Sequence, residues 1–431
     1  MSEWRQVYLR EVANNASRSF DFRGKSAVIF INTGDVLNGQ FLHSDVSDVE
    51  TLPGQAKKAI RKGDILYSEI RPGNGRHVLV REALNEHVVS TKFMVLESGS
   101  DVSPEFLYHI LKSPECEAAF KLIAESRSGT FPQITFDSVG HYEFQLPSQS
   151  EQRVIAQILG TLDDKIELNR RMNETLEAMA RAIFQSWFVD FDPVRAKASG
   201  ESADSVCHRL GLTPELLALF PDSFEDSELG EIPKGWKVGT LGDLANHPRR
   251  GIQPEKISPN TPYIALEHMP RRSIALSDWG YGDGLESNKF EFQKGEILFG
   301  KLRPYFHKVG VAPLAGVCST DILVVVPKLE GWFGVVLGHM SSVGFIEHTN
   351  AGSTGTKMPR TSWKEMSAYR ITLPASTIAK KYSDQISQIL GRINSAIFES
   401  KSLCEMRDTL LPKLLSGSLP CVRPKLISEH A

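Results

Sequence analysis

Lys62-Gly63-Asp64-Ile65-Leu66-Tyr67 returns as Lys294-Gly295-Glu296-Ile297-Leu298-Phe299, a shift of 232 residues. The same shift carries Trp4 onto Trp236, Leu9 onto Leu241, Ala13-Asn14 onto Ala245-Asn246 and Arg71-Pro72 onto Arg303-Pro304. Further along it falls to 226–227: Gly129-Thr130 meets Gly355-Thr356, Pro132 meets Pro359, and Leu146-Pro147 meets Leu373-Pro374. At 227 it continues through Ile166/Ile393, Leu176/Leu403 and Met179/Met406. A collinear series in one register marks duplication of a whole domain plus a helix, not a solenoid of short units.

Each copy has the same internal order. Residues 1–146 and 232–374 are rich in short β-type runs broken by Gly, Pro and Asn: Ala27–Ile31, Asp64–Tyr67, Val88–Leu96, Gly295–Phe299 and Ile322–Val326. One helix-like piece, Pro104 to Glu125, interrupts the first copy. A long helix follows each globular part, over 147–190 and 375–416. Ser148 with Glu151 forms a capping box just after Pro147, so the first helix starts there. It then runs without Pro to about Asp190, with Gly160 as its weak point, roughly 60 Å at 1.5 Å per residue. Pro412 is expected to kink or end the second helix.

Both helices carry coiled-coil spacing. Ile155, Leu159, Leu162, Ile166, Asn169, Asn173, Leu176, Ala180, Ile183 and Trp187 form one seam. Tyr382, Ile386, Ile389, Ile393, Ala396, Ser400, Leu403, Arg407, Leu410 and Leu414 form the other. Polar residues in mid-seam fix register at some cost in stability. A flanking stripe, Ile158, Met172 and Met179 on the first helix and Leu390, Ile397, Cys404 and Leu411 on the second, asks for further partners. Those partners are helices of other subunits or, alternatively, the adjacent globular domain. The expected fold is α/β in the α+β sense. Two globular domains are separated by two long helices in an antiparallel coiled coil, about a pseudo-twofold axis. Residues 191–231 read as an acidic linker and 417–431 as a tail.

The 431 residues carry a formal net charge of -3, which argues against a uniformly basic nucleic-acid binder. By segment the charge is -3 for 1–146, -8 for 147–231, +5 for 232–374 and +3 for 375–431. Basic groups cluster at Lys57-Lys58-Arg61-Lys62, Arg71/Arg76/Arg81, Arg249-Arg250, Arg271-Arg272 and Lys301/Arg303/Lys308. Apolar runs such as Ile322–Val326 are far short of a membrane span, and the five cysteines lie apart with no Cys-x-x-Cys pair. A reducing compartment is expected.

Signals for covalent chemistry fail one by one. Gly24-Lys25-Ser26 lacks the glycine of a phosphate loop, because Ser19 stands there. No Gly-x-Gly-x-x-Gly follows a strand, no Asn-Pro-Pro-Phe run exists to hold a flipped adenine, and Pro221-Asp222 has no following Glu-x-Lys. Gly352-Ser353-Thr354-Gly355 is not a nucleophile elbow, and Cys207-His208 stands isolated. No catalytic residue and no metal ligand is assigned.

Leu146-Pro147-Ser148-Gln149-Ser150-Glu151-Gln152-Arg153 at the helix start resembles the central conserved region of type I restriction–modification specificity subunits. So does Leu176 to Asp192, ending Ser186-Trp187-Phe188-Val189-Asp190-Phe191-Asp192. Phe220-Pro221-Asp222-Ser223-Phe224 with Gly230-Glu231-Ile232-Pro233-Lys234-Gly235-Trp236 is similar to that family's entry into its second recognition domain. Leu410-Leu411-Pro412-Lys413-Leu414-Leu415-Ser416-Gly417 resembles its distal conserved region. One departure is that the second helix opens Pro374-Ala375-Ser376-Thr377-Ile378-Ala379, without the Glu-Gln pair of the first.

The resemblance implies a non-catalytic DNA-specificity subunit in a prokaryotic cytoplasm. Residues 1–146 and 232–374 would be target-recognition domains reading a bipartite, asymmetric site in double-stranded DNA, with the coiled coil setting the gap. It implies two methyltransferase (modification) subunits and restriction/translocase subunits as partners, and no membrane. S-adenosylmethionine, ATP and Mg2+ would belong to those partners. The alternatives are a coiled-coil scaffold joining two protein-binding domains, or a self-contained nuclease with an unfamiliar site.

Two domains reading different sequences should share phosphate contacts and differ at base contacts. Arg71, Arg303, Thr130 and Thr356 occupy matching positions and are expected to hold phosphate or shape the loops. Arg76, Gln133, Lys301, Lys308 and Arg360 are expected to include the base readers, with Arg127 and Lys357 beside the Gly-Thr loops.

Overall fold

The computed structural model describes residues 4–127, 132–353 and 358–419. Two compact units result: Met1–Lys165 with Ser402–Ala431, and Ile166–Lys401.

In the first unit Arg5–Tyr8 pairs antiparallel with Glu143–Leu146, Arg5 opposite Leu146, so the chain returns to its start just before the long helix. Lys237–Thr240 and Arg370–Leu373 repeat that closure in the second unit, Lys237 opposite Leu373. One four-stranded sheet has the spatial order Ala13–Asn15, Phe93–Ser98, Ile65–Ser68, His77–Leu79. Its counterpart is Ala245–Asn246, Ile322–Pro327, Ile297–Gly300, Val309–Val311. A second sheet runs Val46–Asp48, Ala27–Ile31, His87–Ser90, Ala56–Ala59. The matching sheet runs Gly280–Tyr281, Pro262–Ile264, Gly316–Cys318, Lys289–Phe292, with Gly251–Ile252 added at its edge. In both, the middle pair is parallel. The duplication is therefore one of topology as well as sequence.

Three elements differ from the sequence reading. The run Val88–Leu96 is two strands in two sheets, turning at Thr91-Lys92. A nearly continuous apolar run buried on both faces does not reveal where the chain changes sheet. Residues 333–351 form helices, Phe333–Met340 and Val343–Ala351, the counterparts of Pro104–Leu111 and Pro114–Arg127. Their Gly and β-branched content disfavours a helix locally, and packing overrides it. A Cβ at Gly338 would stand 2.1 Å from Phe184 Cδ2, so the glycine is what lets this helix approach the first long helix. Residues 191–231 are not a linker. They fold as helices Asp192–Ala198, Ala203–Leu210 and Pro214–Ala218 and a hairpin, Phe224–Ser227 with Gly230–Pro233. Val194, Val206, Leu217, Phe220 and Ile232 anchor them in the second unit's core, beneath an acidic surface.

The long helices span Gln149–Phe188 and Ser376–Leu415, 40 residues each. Glu151 accepts from the Ser148 backbone N–H at 3.1 Å, which is the capping box read from sequence. Pro412 does not end the second helix. It removes a single donor in the last turn, Ser416 N–H still bonds the Pro412 carbonyl at 3.0 Å, and Leu411 and Leu414 are buried in the first unit's core.

The seam is antiparallel in each unit. In the first, Ile155 and Leu159 share a core with Leu411 and Leu414, and Asp163 bonds Arg407 at 3.1 Å. In the second, Asn169 Nδ2 donates to Glu399 Oε2 at 2.8 Å and to Ser400 Oγ at 3.2 Å, while Phe184, Trp187 and Phe188 surround Tyr382. Seam residues Leu176 and Ala180 are buried, Ile183 half-buried; opposite them Ile386, Ile393 and Ala396 are buried and Ile389 half-buried.

The two seam asparagines are not equivalent. Asn169 is 1% exposed and satisfied; the Asn173 carbonyl oxygen is buried without a hydrogen-bond partner among the described residues. Asn173→Leu is expected to stabilise the second unit by about 1 kcal/mol, and Asn169→Leu to cost about 1–2 kcal/mol by stripping partners from Glu399 and Ser400. Thermal unfolding should place the two variants on opposite sides of the parent; a lower melting temperature for Asn173→Leu would show that this oxygen is used.

Candidate nucleic-acid interface

Three loops meet in each globular domain through the same four backbone contacts. In the first domain Glu69 N–H bonds Lys92 O at 2.9 Å, Ile134 N–H bonds Glu69 O at 2.8 Å, Arg71 N–H bonds Pro132 O at 3.0 Å, and Ile70 bridges Gln133. In the second, Lys301 N–H bonds Asp321 O at 2.9 Å, Thr361 N–H bonds Lys301 O at 3.1 Å, Arg303 N–H bonds Pro359 O at 2.7 Å, and Leu302 bridges Arg360. Arg71 and Gln133 are thereby neighbours on one strip of backbone, as are Arg303 and Arg360.

Both arginines are in the left-handed region, Arg71 at φ 47°, ψ 67° and Arg303 at φ 51°, ψ 66°. Each precedes a buried proline. A backbone strain of about 1–3 kcal/mol attaches to a non-glycine residue held there, and the surrounding structure must overdetermine it. That the same strain is kept at the same place in both copies points to a role beyond folding. Arg71 is exposed; Arg303 is half-buried, its guanidinium carbon 5.9 Å from the Phe306 ring centre and its Nε without a partner among the described residues.

Arg76 and Lys308 are corrected. They lie 232 residues apart, at equivalent positions, so they are not differing groups. Arg76 Nη1 donates to the carbonyls of Gly34 at 2.7 Å and Val36 at 2.8 Å; Lys308 Nζ donates to the carbonyl of Leu266, itself 232 residues beyond Gly34. Burial lowers the Lys308 ammonium from its ordinary value. These cations hold a neighbouring loop. A second shared device is the ion pair Arg18–Asp64, repeated as Arg250–Glu296, whose carboxylates also accept from Arg61 N–H at 2.7 Å and Gln293 N–H at 2.8 Å. Lys58 likewise gives its ammonium to the Phe93 carbonyl at 2.6 Å.

The other expected residues divide as follows. Gln133 and Arg360 are exposed, and Arg360 Nε donates to Asp321 Oδ1 at 3.2 Å. Lys301 is half-buried with no side-chain hydrogen bond or ion pair among the described residues. Thr130, Thr356 and Lys357, and the side chain of Arg127, lie outside the described residues. Sequence reading missed Glu69, Lys92 and Asp321; the 232-residue shift pairs Glu69 with Lys301, whereas Lys92 and Asp321, 229 apart, are matched by their backbone contacts. It also missed His307, which Arg272 of the basic pair Arg271-Arg272 joins, both at positive φ, through Arg272 N–H to His307 O at 2.9 Å.

The flanking helix stripes part company. Ile158, Met172 and Met179 on the first helix are 38, 39 and 50% exposed. Met172 borders a groove of about 710 Å³ shared with Gly391, Ser395 and Ala396 of the second helix. Leu390, Ile397 and Leu411 are buried at 6, 2 and 4%, packed in the cores of their own units, so the second helix does not offer the face expected of it. Among the described residues no His, Cys, Asp or Glu group is spaced to hold a metal ion, and no helix is long and apolar enough to cross a membrane.

Residues 1–178 match the family described as type I restriction modification DNA specificity domain. The chain is 38% identical to the Type I restriction enzyme HindI specificity subunit of Haemophilus influenzae, over 97% of this chain and 100% of that one. It is 25% identical to the MjaIX specificity subunit of Methanocaldococcus jannaschii, over 83% and 78% of the two chains. In fold it is similar to the S subunit of a type I restriction–modification system from M. genitalium, with a TM-score of 0.52 at 14% identity, covering 96% of each chain.

Proposed function

The chain belongs to the specificity subunits of type I restriction enzymes, and from that premise we propose that its two recognition domains each read one part of a bipartite site in double-stranded DNA. A specificity subunit supplies recognition, not the covalent step. The observation that carries the reading is the duplicated three-loop junction, with a strained, proline-locked arginine at the same place in both domains. Arg71 and Arg303 grip phosphate and set register. The bases are read by neighbours that differ between the domains. The antiparallel helices set the spacing between half-sites. The exposed Ile158, Met172 and Met179 receive helices of two modification subunits, which carry S-adenosylmethionine, while restriction/translocase subunits bring ATP and Mg2+. The complex works in the cytoplasm.

The test uses the full chain with its modification subunits and a duplex bearing the site mapped by long-read sequencing of methylated adenines. Arg71→Ala and Arg303→Ala are each expected to weaken binding about equally on cognate and altered duplexes and to lower the salt slope of log K by about 1. A complex whose assembly ignores both DNA and salt would instead identify a protein scaffold.

A further inference from the structure

The two loop junctions share a backbone and exchange their chemistry. Where the first domain has Glu69, the second has Lys301; Lys92 is matched by Asp321, and Gln133 by Arg360. At all three places an acid, base or amide in one domain is replaced by a group of different or opposite character in the other. The immediate surroundings do the reverse. Arg71/Arg303, Arg76/Lys308 and the ion pairs Arg18–Asp64 and Arg250–Glu296 keep their character, and all but the first pair hold loops together. Conserved support around variable side chains, on one hydrogen-bonded platform, is the arrangement that lets a duplicated domain read two different sequences.

We propose that positions 69/301, 92/321 and 133/360 are the base-reading set of the two domains, and that their chemistry gives the C-terminal domain a guanine requirement and the N-terminal domain an adenine requirement. This rests on the DNA-reading function proposed above and deepens it. In the C-terminal domain Asp321 takes the Nε–H of Arg360, which orients the guanidinium plane and leaves its terminal nitrogens without a partner among the described residues. Those two nitrogens match O6 and N7 of guanine. Lys301 adds a second unpartnered cation beside acceptor-rich guanine edges. In the N-terminal domain no arginine stands at the bridge. Gln133 is exposed there, and its amide matches N6 and N7 of adenine, with Glu69 able to accept from an exocyclic amine. Burial lowers the Lys58 ammonium from its ordinary value, with Glu69 partly opposing, and that ammonium is already committed to the Phe93 carbonyl.

The test compares parent, Arg360→Gln, Arg360→Lys and Gln133→Ala in the full chain with its modification subunits. Each is measured on duplexes in which every base pair of the mapped site is changed in turn. Arg360→Gln and Arg360→Lys are expected to lose discrimination at one guanine-containing pair of the C-terminal half-site by about ten-fold or more, with the other half-site unchanged. Arg360→Lys keeps the charge and so leaves the salt slope unchanged, which separates loss of the fork from loss of a cation. Gln133→Ala is expected to relax one A·T pair in the N-terminal half-site alone. Uniform weakening across all duplexes with a salt slope lower by about 1 would make Arg360 a phosphate contact and overturn the assignment, as would an unchanged methylation motif in every variant. Failure of the parent complex to select any duplex would overturn the DNA-reading function itself, and is read before any variant is made. Arg360 and Gln133 are exposed, so melting temperatures within a degree or two of the parent are expected and confirm that each variant is folded.

Discussion

Replacing Asp163 by Asn is expected to lower the unfolding free energy of the first unit by about 3 kcal/mol, the upper end for a buried pair being reduced by partial exposure. The Asp163 carboxylate is paired with Lys112 and with Arg407 at 3.1 Å, their side chains 18, 13 and 26% exposed. His109 stands 3.9 Å away. Burial alone would raise the Asp163 carboxyl, but Lys112, His109 and Arg407 together hold it below its ordinary value of 3.8. Burial, then Lys112, pushes His109 down to about 3, so it is neutral at working pH and cannot replace either cation. An amide at 163 would leave the half-buried Lys112 without its counter-charge and Arg407 with Asp408 alone, at 2.8 Å.

The sign of the pH dependence follows. A carboxyl whose folded value is depressed stabilises fully above its unfolded value and loses that contribution as pH falls through the folded one. The gap between parent and Asp163→Asn should therefore be constant above about pH 5 and narrow below about pH 4 in urea titrations. The double variant Asp163→Leu with Lys112→Met should recover part of the loss, since well-packed apolar residues replace a buried pair at little cost. No recovery, together with no pH effect, would mean that the cluster contributes by packing alone.

Glu177→Ala should cost the second unit a comparable amount, about 3–5 kcal/mol. Glu177 is 4% exposed and accepts from Ser273 Oγ at 2.7 Å, Ile274 N–H at 3.0 Å and Ala275 N–H at 3.2 Å, with Arg181 at 3.6 Å. It is the clasp between the first long helix and the segment after Arg271-Arg272. Truncation strands the buried Ile274 N–H and takes the carboxylate from the half-buried Ser273 hydroxyl and Ala275 N–H, whereas Glu177→Gln keeps one acceptor oxygen and should cost about half as much. Because this clasp lies within the second unit, DNA selection should blur in the C-terminal half-site and remain sharp in the N-terminal one. Blurring of both half-sites to the same degree would contradict that placement.

Much of this was legible from residues in order. Ser148 and Glu151 announce a helix start because capping is a contact over three residues. The seam from Ile155 to Trp187 is legible because helical periodicity puts its residues on one face whatever the partner. Val88–Leu96 and Phe333–Ala351 were not, since local propensity cannot say which sheet a buried run joins or when packing against Phe184 will make a helix of Gly-Val-Val. The acidic surface of 191–231 hid Val194, Phe220 and Ile232, whose spacing spans several short helices.

Sequence alone determined the duplication, the capped helices, their seam and the family, because each is written in local spacing or in a register repeated along the chain. Tertiary structure alone decided which cations are committed and which are free. Arg76 and Lys308 look like readers until Gly34, Val36 and Leu266 are found within hydrogen-bond reach, and Arg360 looks unattached until Asp321 is found at its Nε. The role of a charged side chain is set by which carbonyl or carboxylate comes within about 3 Å of it. That neighbour arrives from tens of residues away, so only the closed fold can assign it.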